Sequence, residues 1–406
     1  MSSEVPDGWK ATTLAAACEF FTDGDWVESK DQNPDGEVRL IQLADIGDGL
    51  FQDKSSRFLT AEKARELRCS MLETNDLLIA RMADPIARCC LFPGLGQPAA
   101  TVVDVAIARA REGVDQRFLS YAVSNRPFRE LALGAASGTT RSRISRSNLG
   151  ALPILLPHLD EQRRIAEVLR SVDETISRLR QTCEAYERLR LAEVENFAHA
   201  SLGGDAQPLA SLITSMDSGW SPDCDGEPAS GDEWGVLKTS AVTWEGFDDR
   251  QNKRLPDALN PRPVLAVARD DILITRAGPA ERTGVVAIVR ATEGRRMLSD
   301  KLIRLRARDD LIEPLALAEL LRSEVVQDQL RALKSGMAAS QTNISQKTLR
   351  GVSIPTPSRE TQLAFVTRIT NLDAALDAER QALLTARRLQ QCISGDLLSG
   401  RVRVPA

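Results

Sequence analysis

The stretch "ISRSNLGALPILLPHLDEQ" (144–162) returns as "ISQKTLRGVSIPTPSRETQ" (344–362), 200 residues later and without a gap. Ile, Ser, Leu, Ile, Pro and Gln recur at matched positions, and a long helical pattern follows each copy. A chain of 406 residues is too long for one core. The duplication says how it divides. Walking backwards, "FLSYAVSNRPFRELALGAASG" faces "ALAELLRSEVVQDQLRALKSG" at an offset of 198, each an amphipathic helical run ending in Ser-Gly. "TNDLLIARM" (74–82) faces "RDDILITRA" (269–277): an acid, a short buried-strand run, then Arg81 or Arg276. "RLIQLADI" (39–46) loosely faces "GVLKTSAV" (235–242). A period near 200 residues far exceeds the 20–50 of solenoid arrays, so the repeat is a domain with its helix.

The helical patterns keep one register. Apolar residues fall at Ile165, Leu169, Val172, Ile176 and Leu179, continuing to Cys183 and Tyr186 in alternating steps of four and three. The same positions plus 200 hold Phe365, Ile369, Leu372, Leu376 and Leu383, with one break at Glu379. At 1.5 Å per residue the first helix spans roughly 60 Å. Such a seam needs a partner, and the other copy supplies it. The expectation is α+β: two pseudo-repeated mixed α/β domains separated by two long antiparallel coiled-coil helices. The expected divisions are 1–157, 158–203 (central helix), 204–357 and 358–406 (C-terminal helix).

Charge bears on partners. The net charge is −5 with a pI near 5.5, which by itself argues mildly against nucleic acid. The distribution is uneven, because "SGTTRSRISRS" (137–147) holds three arginines and no acid. Seven scattered cysteines form no C-x-x-C pair, and the polar start "MSSEVPDGWK" lacks a secretory pattern. No apolar run reaches the length needed to span a bilayer. A cytoplasmic protein without membrane attachment is expected.

Catalytic motifs are sparse. There are two histidines: His158 at a helix entry, read as a loop residue, and His199 at a helix end. "GLG" (94–96) is no dinucleotide fingerprint, and no phosphate-binding G-x-x-x-x-G-K-S/T exists. The adjacent acids Asp248–Asp249 and Asp309–Asp310 read as turn residues. Neither a catalytic set, a metal site nor a cofactor is expected.

With the repeat laid out, "SGTTRSRIS…LPILLPHLDEQRRIAEVL" and the closing "DLLSGRVRV", together with "VPDGWKATTLAAA" and "LKTSAVTWEGFDDRQNKRLP", make the whole chain resemble the specificity subunit (HsdS) of type I restriction–modification systems. The second copy departs from the first. Its loop "SGMAASQTNIS" has no arginine, and "SRETQ" keeps only Gln362 of the Glu-Gln pair. The resemblance implies a non-catalytic scaffold. Two target recognition domains would each read half of a bipartite double-stranded DNA sequence. The helices would set the spacing and dock the modification methyltransferase subunits, two copies being expected, and a restriction/translocase subunit would join.

A DNA reader needs cations or N–H groups for phosphate, and planar or amide side chains for base edges. The first loop offers Thr139, Thr140, Arg141 and Arg143. The second offers Ser340, Gln341, Thr342 and Asn343, where the amides suit adenine. Arg81, Arg276, Lys238 and Thr239 complete the candidates. A coiled-coil protein–protein adaptor without base readout is the alternative, and it would make these polar loops incidental.

Overall fold

The structure is a computed structural model. It describes residues 5–82, 85–138, 142–202, 205–224, 226–292, 294–338 and 341–404, with backbone alone at 335–338 and 341. The chain forms two compact units, Met1–Arg180 with Gln381–Ala406, and Gln181–Arg380.

In the first unit the elements run β1 (Lys10–Thr13), β2 (Cys18–Asp23), β3 (Val38–Ile41), β4 (Phe58–Leu59) and α1 (Ala61–Glu66). Then come β5 (Leu77–Ala80), β6 (Cys89–Leu91), β7 (Ala99–Thr101) and β8 (Val105–Ala110). Helices α2 (Gln116–Ser124), α3 (Arg126–Gly134) and α4 (Arg146–Ala151) precede β9 (Pro153–Leu156) and the long α5 (Leu159–Ser201). The main sheet has the antiparallel order β2-β8-β5-β6, and a smaller sheet has the order β4-β3-β7 with β3 and β7 parallel. β1 pairs with β9, joining the unit's start to the strand that feeds the long helix. The run "LLIA" of β5 is wholly buried because it is the inner strand of a sheet covered on both faces.

The second unit repeats this plan. It runs β10 (Ala206–Pro208), β11 (Ile213–Ser218), β12 (Trp234–Leu237), β13 (Asn252–Arg254), β14 (Ile272–Thr275), β15 (Ala277–Gly278) and β16 (Val286–Ile288). After β17 (Arg295–Met297) and β18 (Leu302–Ala307) come α6 (Pro314–Arg322) and α7 (Glu324–Leu333). β19 (Ser335–Ala338), β20 (Gln341–Asn343), α8 (Gln346–Arg350), β21 (Ser353–Pro355) and α9 (Arg359–Leu398) complete it. The main sheet is β11-β18-β14-β16, the small sheet β13-β12-β17, and β10 pairs with β21. The main and small sheets match those of the first unit in order, and β15, β20 and β19 form a further three-stranded sheet where the first unit has isolated bridges of Arg143 to Met82 and Ser137.

Two details differ from the expectation. Each amphipathic run before Ser-Gly is not one helix but two. In the first unit Asn125 is extended (φ −67°, ψ 144°), and its side chain accepts a bond from the Arg126 N–H at 2.9 Å. Pro127 follows, and a proline disfavours helix in the residues before it. In the second unit Ser323 makes the same break (φ −62°, ψ 151°) without any proline.

The repeated Gln162 and Gln362 are latches. The Gln162 side chain accepts from the Asp115 N–H (2.8 Å) and donates to Gly113 O (3.2 Å) and Pro157 O (2.9 Å). Gln362 does the same with Glu313 N–H (2.9 Å), Leu311 O (3.1 Å) and Pro357 O (2.9 Å). An amide alone offers both donors and acceptor, and both side chains are buried, so each ties a long helix to the loop before α2 or α6.

The long helices, 43 and 40 residues, pack antiparallel. Within the second unit the partner on α9 falls as the position on α5 rises. Arg380 meets Glu187 (2.7 Å), Asp373 meets Arg190 (2.6 Å), Arg368 meets Glu193 (2.5 Å), and Phe365 stacks on Phe197 with centroids 3.8 Å apart. Phe365 and Ile369 are fully buried and Leu376 nearly so, while Leu372 is half-buried. In the first unit Ile165 and Leu169 are buried in one core with Leu397 and Leu398, whereas Val172, Ile176, Leu179 and Leu383 are half-buried. The C-terminal segment also closes on the N-terminal one. Arg403 makes a two-pronged pair with Glu161 (2.6 and 2.7 Å) and lies over the Trp9 ring. Among the described residues no helix is long and apolar enough to cross a membrane.

Candidate nucleic-acid interface

Among the described residues, Arg81 and Arg143 in the first unit and Arg276, Thr342 and Asn343 in the second lie at one end of the main sheet. In the first, that end holds the C-termini of β2 and β5 and the N-termini of β6 and β8. Glycine follows β2 and β11 at this end, as Gly24 and Gly219. A Cβ on Gly24 would collide with the carbonyls of Thr101 and Val102, and one on Gly219 with that of Leu298. The close approach of the neighbouring strand requires glycine at both places.

Arg81 leaves β5 and turns inward. It is 3% exposed, pairs with Asp23 at 2.9 Å, and donates to Ile144 O (3.0 Å) and Val103 O (2.6 Å). Burial pushes its pKa down, and Asp23 opposes that shift. Its guanidinium holds the strand end to the returning segment. Arg143 sits on that segment, exchanging backbone bonds with Ser137 (both 2.9 Å) and bridging to Met82. Its side chain is 45% exposed and pairs with Asp104 at 2.9 Å, so it faces water while remaining anchored. Thr139, Thr140 and Arg141 lie outside the described residues.

In the second unit β20 returns along the same path. Asn343 pairs with Ala277 and Ser335, as Arg143 does with Met82 and Ser137. Asn343 is exposed. Thr342 is half-buried, its hydroxyl bonded to Gly278 O (3.2 Å) and the Thr283 hydroxyl (2.9 Å), so it braces the hairpin rather than facing out. Ser340 and the side chain of Gln341 lie outside the described residues. Arg276, the match of Arg81, is half-buried, and among the described residues its guanidinium makes no ion pair or hydrogen bond. Lys238 and Thr239 follow β12, half-buried, at the strand end beside the close of β17.

Sequence reading missed Asp23 and Asp104, which neutralise the first unit's arginines, and Lys301, the exposed counterpart of Asp104. Placing "VVDVAIARA" against "LSDKLIRLRA" was the available signal.

A model described as the type I restriction modification DNA specificity domain matches residues 107–185, the stretch from β8 into α5. The chain is 40% identical over 183 residues to the EcoEI type I restriction enzyme specificity subunit of Escherichia coli. That match covers 45% of this chain and 31% of the relative, so it spans about a third of the relative's length. Two solved structures share the fold. The type I S subunit from M. genitalium has a TM-score of 0.60 at 15% identity, covering 98% of this chain and 97% of the other. A chain from a study of complex assembly and conformational transition in the type I R-M system has a TM-score of 0.61 at 18% identity, covering 98% and 100%. In its duplicated fold and in the stretch from β8 into α5, the chain is similar to type I restriction–modification specificity subunits.

Proposed function

We propose that the chain is the sequence reader of a type I complex: its two units each recognise one half of a bipartite DNA target. The observation that carries this is the repeated polar end of the main sheet, with Arg143 and Asn343 at equivalent exposed places. Guanidinium suits guanine or phosphate, and amide suits adenine. Residues 1–157 and 204–357 are the readers, and 158–203 and 358–406 form the spacer on which methyltransferase subunits dock, two copies in the complex. A restriction/translocase subunit completes it. Catalysis belongs to those partners, so the purified chain should neither methylate nor cut DNA; either activity from the chain alone would refute the assignment.

The test is a methylome of cells with and without the gene. A two-part methylated motif that disappears on deletion is expected. An unchanged methylome, or a single contiguous motif, would overturn the reading.

A further inference from the structure

Two equivalent strand ends carry opposite electrostatics. In the first unit Ala80 lies opposite Val105, so the next residues outward, Arg81 and Asp104, face each other, with the Arg81 N–H donating to Asp104 O at 2.8 Å. In the second unit Thr275 lies opposite Leu302, and the Arg276 N–H donates to Lys301 O at 2.8 Å. Directly opposed residues hold their Cβ atoms about 4.5–5.5 Å apart on one face. The opposed pair is therefore Arg/Asp in one copy and Arg/Lys in the other.

The flanking positions change in the same sense. Asp23, opposite Ala106, becomes Ser218, opposite Ile303, and Arg143 becomes Asn343. Two arginines and two aspartates cancel in the first unit, locked as Arg81–Asp23 and Arg143–Asp104. One Arg, one Lys, one Ser and one Asn leave a net +2 in the second. Among the described residues nothing pairs with the Arg276 guanidinium or the exposed Lys301 ammonium. The adjacent Asp300 is engaged elsewhere: its carboxylate accepts from the Ser221 hydroxyl, and its N–H donates back to that oxygen at 3.2 Å. Like charges directly opposed weaken a strand pair. An anion placed between them removes that penalty in the bound state.

We propose that Arg276 and Lys301 form an anion site for the DNA phosphodiester backbone, present in the second unit and absent from the first. The guanidinium fork takes phosphate oxygens and the ammonium adds a point charge. This rests on the DNA reading above and adds a division of labour: the second unit anchors the duplex by charge, and the first does so without this clamp.

The experiment measures binding of the full chain, with the subunits that co-purify, to a target duplex over a salt series. Each phosphate contact contributes about 0.9 to the slope of log K against log salt. Arg276→Gln combined with Lys301→Gln is expected to lower the slope by about 0.9–1.8. The base preference at both half-sites should stay unchanged, and the melting temperature of the free variant should be unchanged or higher. An unaltered slope with normal binding would overturn the site, as would a lower melting temperature, which would make the pair structural. Loss of a co-purifying subunit without a change in slope would assign the cations to a protein partner and overturn it too. Failure of the unmodified complex to bind DNA sequence-specifically would instead sink the DNA reading itself.

Discussion

Arg81 and Arg276 stand at the same place in two copies of one fold, and their surroundings give them different work. Removing Arg81 leaves Asp23 with a carboxylate oxygen shut away from water and two backbone carbonyls without donors. Breaking a buried pair from one side costs roughly 3 kcal/mol, so Arg81→Ala should lower stability in a denaturant titration by about that much. Arg143→Ala also takes the partner from a buried Asp104 oxygen, at a smaller cost of about 1 kcal/mol because the Arg143 side chain is 45% exposed. Its larger effect belongs to recognition, at about 1–3 kcal/mol if it makes a two-pronged base contact, read as relaxed methylation at one half-site only. A second residue-scale effect concerns acid. The Arg403 bond holds the Glu161 carboxyl below its ordinary value of 4.5. A depressed carboxylate stabilises the fold above its unfolded pKa, and that contribution disappears as pH falls through the folded value. Stability should therefore drop below about pH 4.5, and Arg403→Ala should make that drop shallower in thermal melts across pH.

Among the elements, the long helices and the matched strands were legible because they rest on periodicity and on a repeat, which are properties of neighbouring residues. Ile165, Leu169, Phe365 and Ile369 are buried, and Val172, Ile176, Leu179, Leu372 and Leu383 further along are half-buried. What was not legible depends on partners distant in the chain. Asp23 precedes Arg81 by 58 residues, so nothing local marks that arginine as structural. The break at Ser323 has no proline to announce it, and it follows from packing of α6 and α7 on the sheet. Gln162 and Gln362 stood out in the repeat, but their role needed the loops at 113–115 and 311–313 to be brought beside them. Replacing Gln362 by Leu removes three hydrogen bonds at a buried site and strands the Glu313 N–H. The expected loss is about 2–3 kcal/mol, measured by denaturant unfolding, with Gln162→Leu behaving alike. A neutral outcome for both would mean that the latch does not hold the helices.

At the scale of the whole molecule, the proposed reading gives recognition and spacing to different parts, and they should separate by mutation. In that reading each reader owns its sheet end, so a change there should alter one half-site. The same reading assigns the spacer to the helices, whose run of contacts within the second unit ends in the stacked Phe197 and Phe365. Adding seven residues to each helix preserves the seam, because the insertion is one full heptad. It lengthens the pair by about 10 Å, and at about 3.4 Å per base pair that is roughly three base pairs of spacer. Three base pairs also turn the far half-site by roughly 100°, given 10–10.5 base pairs per turn. A heptad of supercoiled helix turns its readers much less, so the lengthened protein meets its new target with some twist left to absorb. The expected methylome therefore keeps both half-site sequences, prefers a spacer longer by about three base pairs, and shows weaker modification than the unaltered chain. A four-residue insertion in one helix alone shifts the seam off its partner and should abolish modification altogether. An unchanged spacer in the heptad variant would remove the helices from the role of ruler, leaving the two readers to find their half-sites independently.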